Sequence, residues 1–499
     1  MGKIFTNNLR EYILPLILCI PLFFINVRDS HDWGEDFAQY IHQAINITKG
    51  VPQTETGVIV DENIPGVHIA TRPVGFPLML APVYLLFGNS IKAFSIFITF
   101  ILILCCCALY IFYKTYFNNL ISILLVLSFA YNPYTLNFKM EIMSDIPFTL
   151  FLVICLIVYS KKGANDMMKY IYIGILVGIL ISIRTIGIIL LAAILIEDLI
   201  NLYQNRIYSD ARINIFIRMA IIFFTSLFIV ISIESIFHSS IGGAYIASIS
   251  FHNFFGVLWM KMGYYFQMFQ NYFMSGGGKF PWFALLTQWL IIILTIYGFI
   301  MKYRVKVDFI DIFVILYLIA LLFYPDIHSG MRFLFPVFPI LLYYAATSFM
   351  TITIRSTLKR TILTLVLGLF ILIPYSFSLA NIVKHQNETL KGPQEKESIE
   401  AFEYIKNNLP SDAIIAFIKP RALALYTNRQ GYIFRQQKPY QLTDRFKNHD
   451  DIYLLLNSEL QDTSLENAII NYPDQVHLIW GNSKYKLYEL KLFLVALSN

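Results

Sequence analysis

The chain has 499 residues, 57% of them hydrophobic and only 14% charged. A soluble globule carries about 25% charged residues, so the composition excludes an ordinary soluble domain. The net charge of +6 is spread over connecting segments, and without a basic patch bearing interleaved aromatics it gives no reason for a nucleic-acid partner.

Apolar runs recur along most of the chain, and a helix needs roughly 20 such residues to cross about 30 Å of hydrocarbon. The sequence reads as an α-helical polytopic membrane protein with about 11 transmembrane helices. They fall near residues 11–27, 90–113, 119–136, 145–160, 170–183, 185–200, 216–236, 281–301, 309–324, 334–353 and 361–380. The opening "MGKIFTNNLREYILPLILCIPLFFINV" has the charges and apolar core of a secretory signal. It lacks a small-residue cleavage site, so it reads as a retained signal anchor. The stretch 170–200 divides into two short spans only if the chain breaks at Arg184. With the N-terminus in the cytoplasm, the inward connections hold Lys3, Arg10, Lys114, Arg206, Arg212, Lys302, Arg304 and Lys359, as the positive-inside rule expects. An odd number of spans then sends the C-terminal residues outside.

The first outer loop, 28–89, is too long for a simple connector. In "GEDFAQYIHQAINITKG", Phe37, Tyr40, Ile41, Ala44 and Ile45 follow i, i+3, i+4, i+7, i+8 spacing. That is one apolar face of a helix, and it predicts an interfacial helix. Glu35 and Asp36 stand in its first turn, where two readings are open. They are anions favoured by the helix dipole, or they are proton acceptors in a site. Further on, "ATRPVGFPLMLAP" sets Arg72 before Pro73, and a short apolar helix follows, ending in "LFG".

The second outer loop, near 137–146, contains "FKMEIMSDIPF" with Lys139, Glu141 and Asp145. The third, near 237–280, is aromatic-rich and runs into "SGGGKFPW", which lacks the spacing and Lys-Ser/Thr ending of a phosphate loop. "RFLFPVFP", starting at Arg332, opens a late span. The five cysteines lie inside apolar runs without metal-site spacing and read as small buried residues.

Residues 384–499 change character. "EKESIEAFEYIKNNLP" has helical periodicity, with Ile399, Phe402 and Ile405 near one face. "AIIAFI", "DIYLLLN" and "QVHLIW" read as short buried strands, so this part is a small α/β domain. The triplets at Asn46 and Asn387 fit the N-glycosylation pattern.

Arg72, Lys139, Arg184 and Arg332 sit at outer span ends, against the charge trend. Arg is costly in hydrocarbon. These bases snorkel to headgroups, pair with Glu141 or Asp145, or converge on an anion, and Arg forks match phosphate oxygens. A carboxylate that deprotonates a hydroxyl and arginines that stabilise a departing lipid phosphate are what glycosyl transfer from a lipid-phosphate sugar demands.

In these elements and their order, residues 1–380 resemble the polytopic GT-C glycosyltransferases. The similar branch is that of protein mannosyltransferases and lipid A aminoarabinose transferases. The resemblance implies a GT-C-like transmembrane catalytic domain at 1–383 and an extracytoplasmic α/β domain at 384–499. It implies transfer from a polyprenyl-phosphate sugar donor to a glycan, lipid or protein acceptor, with inversion, at the outer face of the membrane. By motif position the catalytic base is Asp36, with Glu35 its competitor. Donor-phosphate contacts fall to Arg72, to Arg332 and, by position, to Arg184. Glu141, Asp145 and His328 are candidate substrate or metal contacts. His68, His238 and His252 could also supply ligands, although no spacing compels a metal. Some relatives carry a metal-binding carboxylate just before the base, where this chain has Thr71, so no cofactor is expected as obligatory and a divalent metal stays open. The plain signal anchor and the lack of long polar insertions point to a bacterial inner membrane and an undecaprenyl carrier. The rival reading is a transporter or flippase, which predicts broken helices at mid-membrane and paired repeats.

Overall fold

A computed structural model describes residues 9–59, 71–160, 167–204, 209–237, 254–274, 281–324, 330–351, 357–435, 442, 446 and 451–490. Among them five helices are long and apolar enough to cross a membrane: Ile91–Lys114, Thr185–Tyr203, Arg212–Phe237, Trp282–Val305 and Thr361–His385. Shorter apolar helices lie at Ile13–Phe23, Gly75–Phe87, Asn119–Ala130, Asp145–Ser160, Met167–Ile183, Phe309–Phe323 and Phe338–Thr351. Every apolar stretch read from the sequence coincides with helix, as an integral membrane protein requires.

The break at Arg184 is present. The Met167–Ile183 helix stops there, Arg184 is extended (φ −150°, ψ 127°), and a short turn leads into the helix Ile188–Gln204. Two other stretches differ from expectation. Residues 119–136 form two helices, Asn119–Ala130 and Pro133–Phe138. Asn132 caps the second by accepting the Thr135 N–H at 2.8 Å, and Pro133 occupies the first helical position, where its missing donor costs nothing. The late stretch opens with the 3-10 turn Gly330–Phe333, and its α-helix starts only at Phe338, beyond Pro336.

The chain forms two compact units. The first comprises Met1–Val27, Ala93–Ile236 and Tyr245–Asn387. It is helical, and its helices approach closely where side chains are small. A Cβ on Gly174 would lie 2.7 Å from Thr225 Cβ, and one on Gly178 would lie 2.7 Å from Ile229 Cβ. This one-turn pair of glycines lets the helix Met167–Ile183 meet Ser209–Phe237 backbone to side chain. The cysteines are free and mostly buried, as expected.

The second unit comprises Arg28–Lys92, Phe237–Ala244 and Glu388–Asn499. Its centre is a five-stranded sheet of order β2-β1-β3-β5-β4. The strands are β1 (Ile414–Ala416), β2 (Gln430–Tyr432), β3 (Ile452–Asn457), β4 (Val476–Gly481) and β5 (Tyr485–Leu490). β1 runs parallel to β2 and β3, while β5 runs antiparallel to β3 and β4. Alternate residues bury opposite faces. Ile415, Tyr453 and Leu455 pack with Phe402 and Ile405 of the helix Lys396–Asn408. Ile414, Ala416 and Leu454 pack with Leu465 and Ala468 of the helix Thr463–Asn471.

The first loop is built into this sheet. Val58 bridges Gly431 beside β2, with Ile59 N–H donating to the Gly431 carbonyl at 2.9 Å and Gly431 N–H to that of Gly57 at 2.8 Å. Trp33 stands edge-on to Phe402 and Phe417, with centroids 6.4 and 6.0 Å away.

Three expectations in this unit are corrected. Ile399 is exposed, because the buried stripe of its helix runs through Ser398, Ala401, Phe402 and Ile405. "QVHLIW" forms an edge strand with His477 and Leu478 exposed, not a buried one. The helix Glu35–Lys49 is not a bare interfacial helix. Gln39, Gln43 and Asn46 are buried along with its apolar face, because the helices Gly75–Phe87 and Pro420–Thr427 pack against it. Asn46 Nδ2 donates to the carbonyls of Pro52 and Glu55 at 3.2 and 2.9 Å, which removes it as a glycosylation acceptor.

Candidate active site

Gly34 ends an extended segment, and the helix Glu35–Lys49 starts with the two acids in its first turn. Neither acid is a simple cap. Asp36 is ion-paired: Oδ1 accepts from Arg72 Nη2 and, at 3.2 Å, from Arg421 Nη1. The three side chains are largely enclosed, at 12% exposed for Asp36, 16% for Arg72 and 10% for Arg421. Two guanidinium donors on one oxygen fix the carboxylate's rotamer.

Arg72 is held at its backbone as well. Gln43 lies two turns beyond Asp36 on the same helix face. Its Oε1 accepts the Arg72 N–H at 3.0 Å, and its Nε2 donates to the Arg72 carbonyl at 3.0 Å. The fully buried Gln43 also donates to Gln53 at 3.3 Å. One helix face therefore grips Arg72 at both ends.

Glu35 is treated differently. Its Oε2 accepts the backbone N–H of Arg421 at 3.2 Å, at the start of the helix Pro420–Thr427. Burial pushes the Glu35 carboxyl up, against the pull of Arg421 and Lys419 and reinforced by Asp36. Exposed Asp32 next to it is held down by His31, the Gly34 N–H and Lys419 against its own desolvation.

In the first unit, a second cluster gathers around Asp145, which is fully buried at the start of its helix. Arg184 pairs with Oδ1, and Arg332 Nε lies 3.7 Å from Oδ2. Both arginines lie over the ring of Phe333, with guanidinium carbons 5.3 and 5.4 Å from its centroid. Cation–π contact and a shared counter-ion hold both forks in place.

The structure thus brings Asp36, Glu35 and Arg72 together in one unit, and Asp145, Arg184 and Arg332 in the other. Asp145 has the surroundings of a counter-ion to arginines, which suit it poorly to ligate a metal. Glu141 lies in the turn after the helix Pro133–Phe138, its N–H donating to Phe138 at 3.0 Å. His328, His68, His238, His252 and the "SGGGKF" segment lie outside the described residues. Two site residues escaped the sequence reading. Arg421 had no local signal. Gln43 could have been noticed as an amide seven residues after Asp36, on the same side of the helix as Gln39 and Asn46.

Comparison with known proteins follows the same lines. Residues 71–231, which include Arg72, Glu141, Asp145 and Arg184, match the dolichyl-phosphate-mannose-protein mannosyltransferase family. No curated protein matched by sequence. Among solved structures the fold is shared with ArnT from Cupriavidus metallidurans bound to undecaprenyl phosphate. Identity is 10% and the TM-score 0.59, over 96% of this chain and 97% of that one. It is also shared with the archaeal oligosaccharyltransferase AglB from Archaeoglobus fulgidus, in complex with an inhibitory peptide and a dolichol-phosphate. There identity is 11% and the TM-score 0.58, over 98% and 74% of the two chains. The likeness to both structures is one of fold. The matched stretch and the shared fold agree with the glycosyltransferase resemblance read from the sequence.

Proposed function

We propose that the chain transfers a sugar from a polyprenyl-phosphate donor to an acceptor hydroxyl, with inversion, at the outer face of the membrane. The observation that carries this reading is the Asp36–Arg72 pair, formed by the two residues to which the resemblance assigns the base and a phosphate contact. Asp36 takes the proton of the attacking hydroxyl. Glu35, tied to a backbone N–H, serves structure instead. Arg72 and Arg332, with Arg184 by position, hold the donor phosphate and stabilise it as it leaves, in the bidentate manner that guanidinium permits. With the leaving group stabilised in this way, no general acid is required.

Residues 1–383 form the catalytic membrane domain in this reading, and 384–499 the extracytoplasmic domain. The N-terminus is cytoplasmic and the membrane a bacterial inner membrane. An undecaprenyl carrier is supported by the fold shared with ArnT, whose structure holds undecaprenyl phosphate. The test is mass spectrometry of envelope glycans from cells with the chain, without it, and with Asp36→Asn. A sugar lost in the second and third cases, at normal protein abundance, supports the proposal. Unchanged glycans with Asp36→Asn refute the assignment. Net lipid-linked substrate movement by Asp36→Asn protein in liposomes would favour the transporter reading.

A further inference from the structure

The helix Pro420–Thr427 belongs to the C-terminal part of the chain, yet it supplies two contacts to the acids of the first loop. The Arg421 guanidinium reaches Asp36 Oδ1 at 3.2 Å, and the Arg421 N–H reaches Glu35 Oε2 at 3.2 Å. The backbone there has little freedom to move. Pro420 fixes the entry to the helix, and Gly431 of β2 packs so tightly on it that a Cβ would lie 2.5 Å from the Pro420 carbonyl. β2 is in turn bridged to the first loop at Val58. Arg421 is 9% exposed, so a surface role does not account for it.

We propose that Arg421 is a positioning residue for Asp36, with Glu35 as the tether that fixes Arg421 in place. The inference rests on the reading of Asp36 as the base. On this account the C-terminal domain is part of the catalytic apparatus: it sets the direction in which the Asp36 carboxylate presents its second oxygen. Arg72 and Arg421 then divide the work. Arg72 comes from the same loop as Asp36, whereas Arg421 couples that loop to the sheet. The charged groups facing Asp36 from the packed elements are Arg72, Arg421 and Glu35, with Lys419 beside Glu35.

Two measurements on the full-length protein test this separately from the function itself. The first needs no turnover: infrared titration of protein labelled with 13C at the aspartate carboxyl, with the Asp36→Asn spectrum subtracted. Removing a neighbouring cation by Arg421→Gln should move the Asp36 titration to higher pH, and Arg421→Lys should largely restore it. An unmoved titration overturns the proposal whatever the protein's activity. The second is release of undecaprenyl phosphate from a panel of undecaprenyl-phosphate-linked sugars, with membranes lacking the chain as acceptor source. Arg421→Gln should lower kcat roughly 10- to 100-fold, with the donor KM within about twofold, as misplacement of a reacting group does. Glu35→Gln, which keeps an acceptor for the Arg421 N–H, should keep most of the rate. An Arg421→Gln enzyme with the original kcat defeats the inference. If Arg421→Gln does not fold, Arg421→Lys carries both tests: its titration must stay near that of the original chain while kcat falls, and an unaltered kcat counts against the proposal. A shifted titration in a chain that releases no phosphate from any donor would leave the Arg421–Asp36 contact standing but sink the glycosyltransferase reading, and with it Arg421's role as positioner of a base.

Discussion

Gln43 and Arg72 are joined as a peptide is joined to its partner in a sheet, with one N–H···O bond each way and both at 3.0 Å. The side-chain amide of a helix thus substitutes for a strand, and it places the Arg72 backbone where the guanidinium meets Asp36.

Gln43→Leu should therefore weaken both fold and transfer. It takes the Gln43 partner from a part-buried N–H and a part-buried C=O of Arg72, at up to about 1–3 kcal/mol each. Thermal unfolding in detergent should show a clearly lower midpoint, and transfer should fall with Arg72 displaced. A midpoint equal to that of the unaltered protein would show that water or another group replaces Gln43.

His42, on the same helix, is predicted to make the fold acid-sensitive. Its Nδ1 is buried with no hydrogen-bond partner among the described residues. Burial and Lys49 hold its pKa down at about 4. The unfolded chain takes up a proton near pH 6.5 and the folded chain only near 4. Stability should consequently fall as the pH drops through that window. Unfolding midpoints measured across the window should decline less in His42→Gln than in the unaltered protein.

Asp145→Asn removes a carboxylate shared by Arg184 and Arg332. Breaking a buried ion pair from one side costs about 3–5 kcal/mol. The expected outcome is poor accumulation of the protein and loss of transfer. A variant that accumulates and transfers normally would show that the two arginines do not depend on Asp145.

Lys139, between the helix Pro133–Phe138 and Asp145, is fully buried, and its Nζ donates to Thr99 at 3.3 Å. Burial lowers its pKa to about 7. Between pH 7 and its ordinary value near 10.4 the unfolded chain holds the proton and the folded chain does not, so stability should rise with pH across that range. Lys139→Met should raise the unfolding midpoint at pH 7 and remove most of that rise. A lower midpoint would mean that the ammonium has a buried anionic partner.

Much of this was legible in the sequence because it is local. The apolar face of residues 37–45, the run lengths of the helical segments and the break at Arg184 all follow from periodicity and from the cost of a buried charge. The alternation of "YKLYEL" is equally local, with Tyr485 and Leu487 on one face of the sheet and Tyr488 and Leu490 on the other. Arg421 is another matter. Nothing in "IKPRALALYT" distinguishes a base at a helix start that meets solvent from one that meets Asp36. The pairing is set by packing of the sheet against the first loop, and no window along the chain contains both partners. The same holds for Ile399, whose apolar character suggested burial although its neighbours' packing left it outside.

The bridge from Val58 to Gly431 has a consequence for how the protein is made. The bond from Glu35 to Arg421 spans 386 residues. At about 5–20 residues per second, the first segment is made roughly 20–80 s before the ribosome finishes its partner. During that interval its strand edge and its acids are without their mates, so newborn chains should be most vulnerable to proteases there. A chain shortened before β1 would never leave that exposed state.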